Sequence, residues 1–222
     1  MDAPSRGRPL RYVALGDSYT IGTSVPEADR WPNQLVVALE GSARRIELVS
    51  ALGASARPIE LVANLGVNGY TSADLIRAEL PRLPELAPDF VTVLIGVNDV
   101  VQGVPDVGYR ENLETIFDTL LARLAADHIV AVTTPDYTVT SAGADYGDPA
   151  TQRAAIQRFN AIAAEVATAR RVAVVDIFDL SQRAASDRSL VAFDGLHPSR
   201  AQYALWVDRI SPVVSRLIGA GT

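Results

Sequence analysis

Short apolar runs alternate along the chain with longer segments whose apolar residues recur at helical spacing. Leu10–Leu15, Ile59–Ala63, Phe90–Ile95, Ile129–Thr133 and Val172–Val175 are rich in Val and Ile, as strands buried on both faces of a parallel sheet should be. Between and after them, Pro32–Glu40, Ser72–Leu86, Tyr109–Ala125, Pro149–Ala169 and Ser199–Ile218 read as helices. This alternation predicts an α/β domain, a three-layer α/β/α sandwich on a parallel sheet of about five strands. Trp31-Pro32 reads as a helix start with proline in the first turn.

Two stretches break the alternation. Gly41–Arg57 contains Arg45-Ile46-Glu47-Leu48-Val49, which suits either a continuing helix or a strand, and the region is read as an insertion. Pro135–Asp148 has no hydrophobic period and reads as a loop after a strand, a place that commonly borders an active site. No repeat, low-complexity tract or linker is visible, so residues 1–222 are expected to form a single domain.

Composition narrows the chemistry. The formal charge is −6 with both signs interspersed, so there is no basic stripe and nucleic acid is not an expected partner. All 20 cationic residues are arginine, cysteine is absent and there are two histidines. A Ser-Lys dyad and a thiol nucleophile are thereby excluded, no metal site of His-Glu-x-x-His type exists, and no cofactor is expected. The first apolar run ends at Leu15 and is too short for a signal-peptide core or a membrane span. A cytoplasmic protein without stable membrane association is expected.

Gly16-Asp17-Ser18 follows the first apolar run directly and puts a hydroxyl at the exit of a strand, where parallel sheets carry their ligands. The base it needs is available in Asp194-Gly195-Leu196-His197-Pro198, where an aspartate three positions before a histidine is placed to hold the imidazole in the proton-accepting tautomer. Asn64-Leu65-Gly66-Val67-Asn68-Gly69 follows the second strand, and Gly69 is the candidate backbone N–H donor there. Gly96-Val97-Asn98-Asp99 places the Asn98 carboxamide at the exit of the third. A neutral amide suits a developing oxyanion.

These four blocks, in this order from Ser18 to His197, resemble those of the SGNH hydrolases, the GDSL esterases and lipases. The resemblance implies a flavodoxin-like sheet and an acyl-enzyme mechanism. Ser18 would be the nucleophile, His197 the base and then acid, and Asp194 its orienter. The oxyanion donors would be the Ser18 N–H, Gly69 and Asn98. Tyr19 stands where the family's name-giving block has leucine, which should alter a pocket wall rather than the chemistry.

Each block also has a plainer use. Ser18 suits a helix N-cap, Asn98-Asp99 an Asx turn, and Asp194-Gly195 a simple turn. Four unrelated turns would then have to mimic one ordered set, so the catalytic reading is preferred. Asp17 and Asp99 are expected to brace their loops, and Tyr19, Val67, Val97 and Leu196 to line a small acyl pocket. His128 is assigned to the preceding helix terminus, and Asp176 and Asp179 to turns. A nucleotide-binding module fails because Gly16–Gly22 is neither G-x-G-x-x-G nor a P-loop. The expected partner is a small-molecule ester, preferably with a short acyl chain, because the rim loop offers Asp136, Tyr137, Thr138, Ser141 and Asp145 rather than an apolar lid. An acyltransferase using the same acyl-enzyme, or a non-catalytic small-ligand-binding module, remains the alternative.

Overall fold

The computed structural model describes residues 8–49 and 57–219. Strand β1 (Leu10–Gly16) leads into the single-turn helix α1 (Ser18–Ile21), followed by α2 (Trp31–Val49) and β2 (Ile59–Asn64). A broken helical stretch comes next, with α3 (Ser72–Asp74) at its start and α4 (Leu83–Leu86) at its end. Strand β3 (Phe90–Leu94) is followed by α5 (Val97–Val101) and α6 (Asp106–Leu121), β4 (Ile129–Val132) by α7 (Pro149–Ala169), and β5 (Ala173–Val175) by α8 (Phe178–Gln182) and α9 (Arg200–Gly219).

All strand pairs are parallel, in the order β2-β1-β3-β4-β5. That is the flavodoxin-like order, in which the chain reverses its direction of travel across the sheet between β1 and β3 and opens a crevice at their C-terminal ends. Helices cover the sheet as the hydrophobic periods require. Tyr109, Leu113, Ile116, Phe117 and Leu120 form the buried stripe of α6, and Tyr203, Trp206, Val207, Ile210 and Val214 that of α9. The strands between them are apolar on both faces, and β3 and β4 are buried throughout.

Two expected boundaries shift. The helix from Pro32 continues through Glu40 to Val49, so Gly41–Val49 is helical rather than part of an insertion; a run of Ala, Arg, Glu and Leu without proline favours that continuation. The remainder of that segment, residues 50–56, lies outside the described residues. Ser72–Leu86 is not one helix. Thr71 and Asp74 form a reciprocal capping box at its start, then a π turn spans Leu75–Glu79 and a 3₁₀ turn Leu80–Arg82 before α4. Pro81 and Pro84 each lack the N–H that an unbroken α-helix needs.

The π turn has a consequence for the sheet edge. Glu79 is buried, and its Oε2 accepts the Gly16 N–H at 2.9 Å, the last amide of β1. Its other oxygen, Oε1, and Oδ2 of the buried Asp17 have no hydrogen-bond partner among the described residues. Burial pushes Glu79 up to about 9 and Asp17 up to about 8, against the Gly16 and Tyr19 amides that favour their charged forms. Asp17 adds to the rise at Glu79, and Asp99 to that at Asp17.

Raised carboxyl groups favour the protonated folded state, so their contribution is complete below the unfolded values of about 4 and is lost as pH rises through 8 to 9. Urea unfolding from about pH 5 to 9 should therefore show stability falling with pH, and Glu79→Gln should flatten that fall. Equal slopes for the two proteins would show that Glu79 is not held protonated.

Candidate active site

The site lies at the β1/β3 crevice. Gly16 leaves β1 with φ 150°, and Asp17 rather than Ser18 caps α1, its Oδ1 accepting the Tyr19 N–H at 2.9 Å. Ser18 is thus the first residue of the turn. It is 8% exposed, and among the described residues neither its N–H nor its hydroxyl has a hydrogen-bond partner.

The loop after β2 is tied to β1 by Leu65 N–H to Ala14 O (2.9 Å) and Val67 N–H to Gly16 O (3.2 Å). It then reverses at Gly69, whose φ of 82° suits glycine and whose N–H is also untaken among the described residues. Asn98, in the first turn of α5, donates one amide hydrogen to Tyr70 O at 2.9 Å, which fixes the carboxamide; its second N–H has no partner among the described residues. Buried Asp99 accepts the Ser72 N–H at 2.8 Å and its hydroxyl at 2.5 Å, and Asn112 Nδ2 donates to the same hydroxyl at 2.9 Å. Burial raises Asp99 above the ordinary carboxylate range despite those donors from Ser72. The loops carrying Gly69 and Asn98 are therefore bonded to one another twice, through Tyr70 and through Ser72.

The third loop precedes α9. Ala192 N–H donates to His197 O at 2.8 Å, Val191 and Pro198 form an antiparallel bridge, and Ala142 N–H and Ser141 Oγ both donate to Gly195 O. Within it, Asp194 Oδ1 accepts the Leu196 and His197 N–H groups at 2.9 and 3.0 Å. Oδ2 contacts His197 Nδ1 at 2.6 Å and accepts Ser24 Oγ at 2.6 Å. Burial opposes the Asp194 charge, but the hydrogen bonds from Ser24, Leu196 and His197 outweigh it and hold the group at about 2. A carboxylate facing Nδ1 requires that nitrogen to carry the proton, so Nε2 of the neutral ring is an acceptor.

Ser18, Gly69, Asn98 and His197 converge on one cleft of about 270 Å³, whose walls also include Tyr19, Val97, Leu196, Asn68, Val101, Tyr137 and Tyr146. Val67 is not among them. It begins the turn closed by Tyr70 N–H to Val67 O and stands 40% exposed outside the cleft.

The rim loop also differs from its polar reading. Asp136 and Thr138 are buried; Asp136 accepts from Thr138, Arg153 and Gln182. These bonds turn those two side chains inward while Ser141 and Asp145 stay exposed, and the loop's contribution to the cleft wall is Tyr137 and Tyr146, in edge contact at 6.0 Å. The tyrosines of 135–148 were the available sequence signal for this wall; Ser24, between a glycine and a proline in Gly22–Pro26, carried none.

Other assigned residues stand apart. His128 closes a 3₁₀ turn beyond the end of α6, and among the described residues no hydrogen bond joins its ring to that helix, so the capping role does not hold. Asp176 does form a turn, accepting Thr133 Oγ1 and the Phe178 N–H. Asp179 instead lies in α8 and pairs with Arg209 of α9. Among the described residues no cluster of three or more His, Asp or Glu is placed to hold a metal, and no helix is long and apolar enough to cross a membrane.

The flavodoxin-like sheet carries this cleft at its switch point, and the family match over most of the chain makes it a carboxylic ester hydrolase of the three-layer α/β/α type. The chain belongs to the GDSL-like Lipase/Acylhydrolase family, matched over residues 14–205. Among curated proteins none matches it. Solved structures share the fold at low identity. The lipase/acylhydrolase from Enterococcus faecalis has TM-score 0.66 at 22% identity, with 96% of each chain covered. The acetylxylan esterase Axe2 from Geobacillus stearothermophilus gives 0.67 at 20%, again with 96% of each covered. The psychrotrophic esterase EstA from Pseudoalteromonas sp. gives 0.64 at 16%, covering 93% of this chain and 97% of its own.

Proposed function

We propose that this hydrolase cleaves small esters with short acyl chains through an acyl-enzyme on Ser18. His197 Nε2 takes the Ser18 proton as Oγ attacks the ester carbonyl, and the carbonyl oxygen becomes an oxyanion. The Ser18 N–H, the Gly69 N–H and the free Asn98 amide hydrogen stabilise that charge. Collapse of the tetrahedral intermediate expels the alcohol, which takes the proton from His197. Water then repeats the sequence on the acyl-enzyme and releases the acid.

The observation that carries this reading is the His197–Asp194 contact at 2.6 Å in a ring that lines the same cleft as Ser18. It fixes the tautomer that the first proton transfer requires. Support for the oxyanion hole comes from the Ser18 and Gly69 N–H groups and one Asn98 amide hydrogen, which border one cavity and have no partner among the described residues; at buried Ser18 and half-buried Asn98 an unpaired donor is otherwise costly, whereas Gly69 is exposed.

With p-nitrophenyl acetate as probe, Ser18→Ala and His197→Ala should each lower turnover about 10⁴-fold, and the double variant little further, because base and nucleophile act as one unit. A folded Ser18→Ala protein with near-native turnover would falsify the mechanism.

Asn98→Ala should lower kcat about 10²–10³-fold at nearly constant KM, since the oxyanion forms only on the way to the transition state. A change confined to KM would make Asn98 a substrate-binding group instead.

A cleft of about 270 Å³ lies at the small end of ligand sites. Across a p-nitrophenyl ester series, kcat/KM should rise over the first few acyl carbons, by about 0.8 kcal/mol per buried methylene, and then fall. A continued rise to long chains, or activation by micelles, would mark a lipase.

A further inference from the structure

Of the described residues, three other than glycine have positive φ: Ser24, Ala87 and Arg171. Ala87 caps α4 and Arg171 follows α7, both places where helices commonly end in a left-handed residue. Ser24 has no such setting. It lies in the turn after α1 with φ 68°, a conformation that disfavours side chains, and glycine stands two residues earlier with φ 73°. In that strained conformation its hydroxyl reaches 170 residues along the chain to Asp194 Oδ2 at 2.6 Å, the same oxygen that holds His197 Nδ1.

We propose that Ser24 is a positioning residue for the hydrolytic reaction, its hydroxyl locking the Asp194 carboxylate and tempering its pull on His197. The inference rests on the triad reading of Asp194 and His197. Without Ser24, Oδ1 would still be fixed by the Leu196 and His197 amides, whereas Oδ2 would be held only by the imidazole it is meant to orient. A donor from outside the loop removes that freedom. It also draws negative charge away from Oδ2, so the imidazolium formed in the reaction is paired less tightly and returns its proton to the leaving alcohol more readily.

Neighbouring bonds favour a role in the site over a role in the turn alone. Thr23 N–H donates to Ser18 O at 3.1 Å, and Thr23 Oγ1 donates to Asn68 Oδ1 at 2.5 Å. Residues 23 and 24 therefore join the nucleophile, the Gly69 loop and the Asp194 loop. Their anchor on the acid side is the Ser24 hydroxyl.

The test separates strain from function by comparing Ser24→Gly, Ser24→Ala and Ser24→Thr in the full chain. Glycine and alanine both lose the hydroxyl and only glycine relieves the left-handed backbone, so Ser24→Gly should melt about 2–4 °C above Ser24→Ala; β-branched threonine should melt below the native protein. If the hydroxyl positions Asp194, activity runs the other way. Ser24→Gly and Ser24→Ala should lose about 10-fold in kcat for p-nitrophenyl acetate, the worth of a hydrogen bond to a charged group, with KM little changed. Their rising limb of kcat/KM against pH should move to higher pH, while Ser24→Thr retains both kcat and limb. An unmoved limb in Ser24→Gly, or activity that follows the stability order, overturns the proposal. If threonine prevents folding, the glycine and alanine variants decide the matter alone. Failure of the underlying triad reading is distinguishable, because it would appear as a folded Ser18→Ala protein that still turns over.

Discussion

A Cβ at Gly16, where φ is 150°, would lie 2.1 Å from Leu94 O of the paired β3 and 2.4 Å from Thr20 Oγ1, so no side chain fits where β1 leaves the sheet beside β3. That contact governs the rest of the site. Residues 17 and 18 must leave the sheet directly beside the exit of β3, which brings Ser18 and Asn98 to opposite sides of one crevice. The positions of the proposed nucleophile and of one proposed oxyanion donor thus follow from strand order and one missing side chain.

The surrounding polar groups make the close approach tolerable. Gly16 N–H finds Glu79 through the π turn, Gly16 O takes the Val67 N–H, and Asp17 caps the turn that presents Ser18. Partners for the β1 exit therefore come from segments that also shape the cleft. On the other side, Tyr203 of α9 donates to Tyr19 O at 3.1 Å, and Ser199 O accepts the Tyr203 N–H. The helix that follows the His197 loop is in this way anchored to the helix that begins at Ser18, and the two halves of the proposed proton-transfer pair share one support.

The five strands and the long helices were legible in the sequence because their apolar periods are long enough to show. The blocks around Ser18, Gly69, Asn98 and Asp194–His197 were legible because few other residue types in this chain can do such chemistry. Interruption of Ser72–Leu86 follows in part from Pro81 and Pro84, whose effect the helical period of that stretch masks. Five-residue α5 and α8 are too short to display a period at all. Val67 and part of the rim loop were misread for one reason: a loop residue's direction is set by the hydrogen bonds of its turn; Asn68-Gly69 marks the Val67–Tyr70 turn but not the side on which Val67 stands, and the Asp136–Arg153 pair has no local signature. Ser24 was invisible for a related reason, since its partner is 170 residues away.

The central claim is that one crevice at the β1/β3 exit holds both the attacking hydroxyl and the donors that receive the oxyanion. A crystal structure of the protein inactivated with a small alkyl phosphonate ester tests it most directly, because the tetrahedral phosphorus adduct imitates the acylation intermediate. The account predicts phosphorus bonded to Ser18 Oγ, with one phosphonyl oxygen about 2.7–3.1 Å from the Ser18 N–H, the Gly69 N–H and Asn98 Nδ2, and His197 Nε2 facing the leaving-group side. An adduct on another residue, or a phosphonyl oxygen turned away from Gly69 and Asn98, would contradict it.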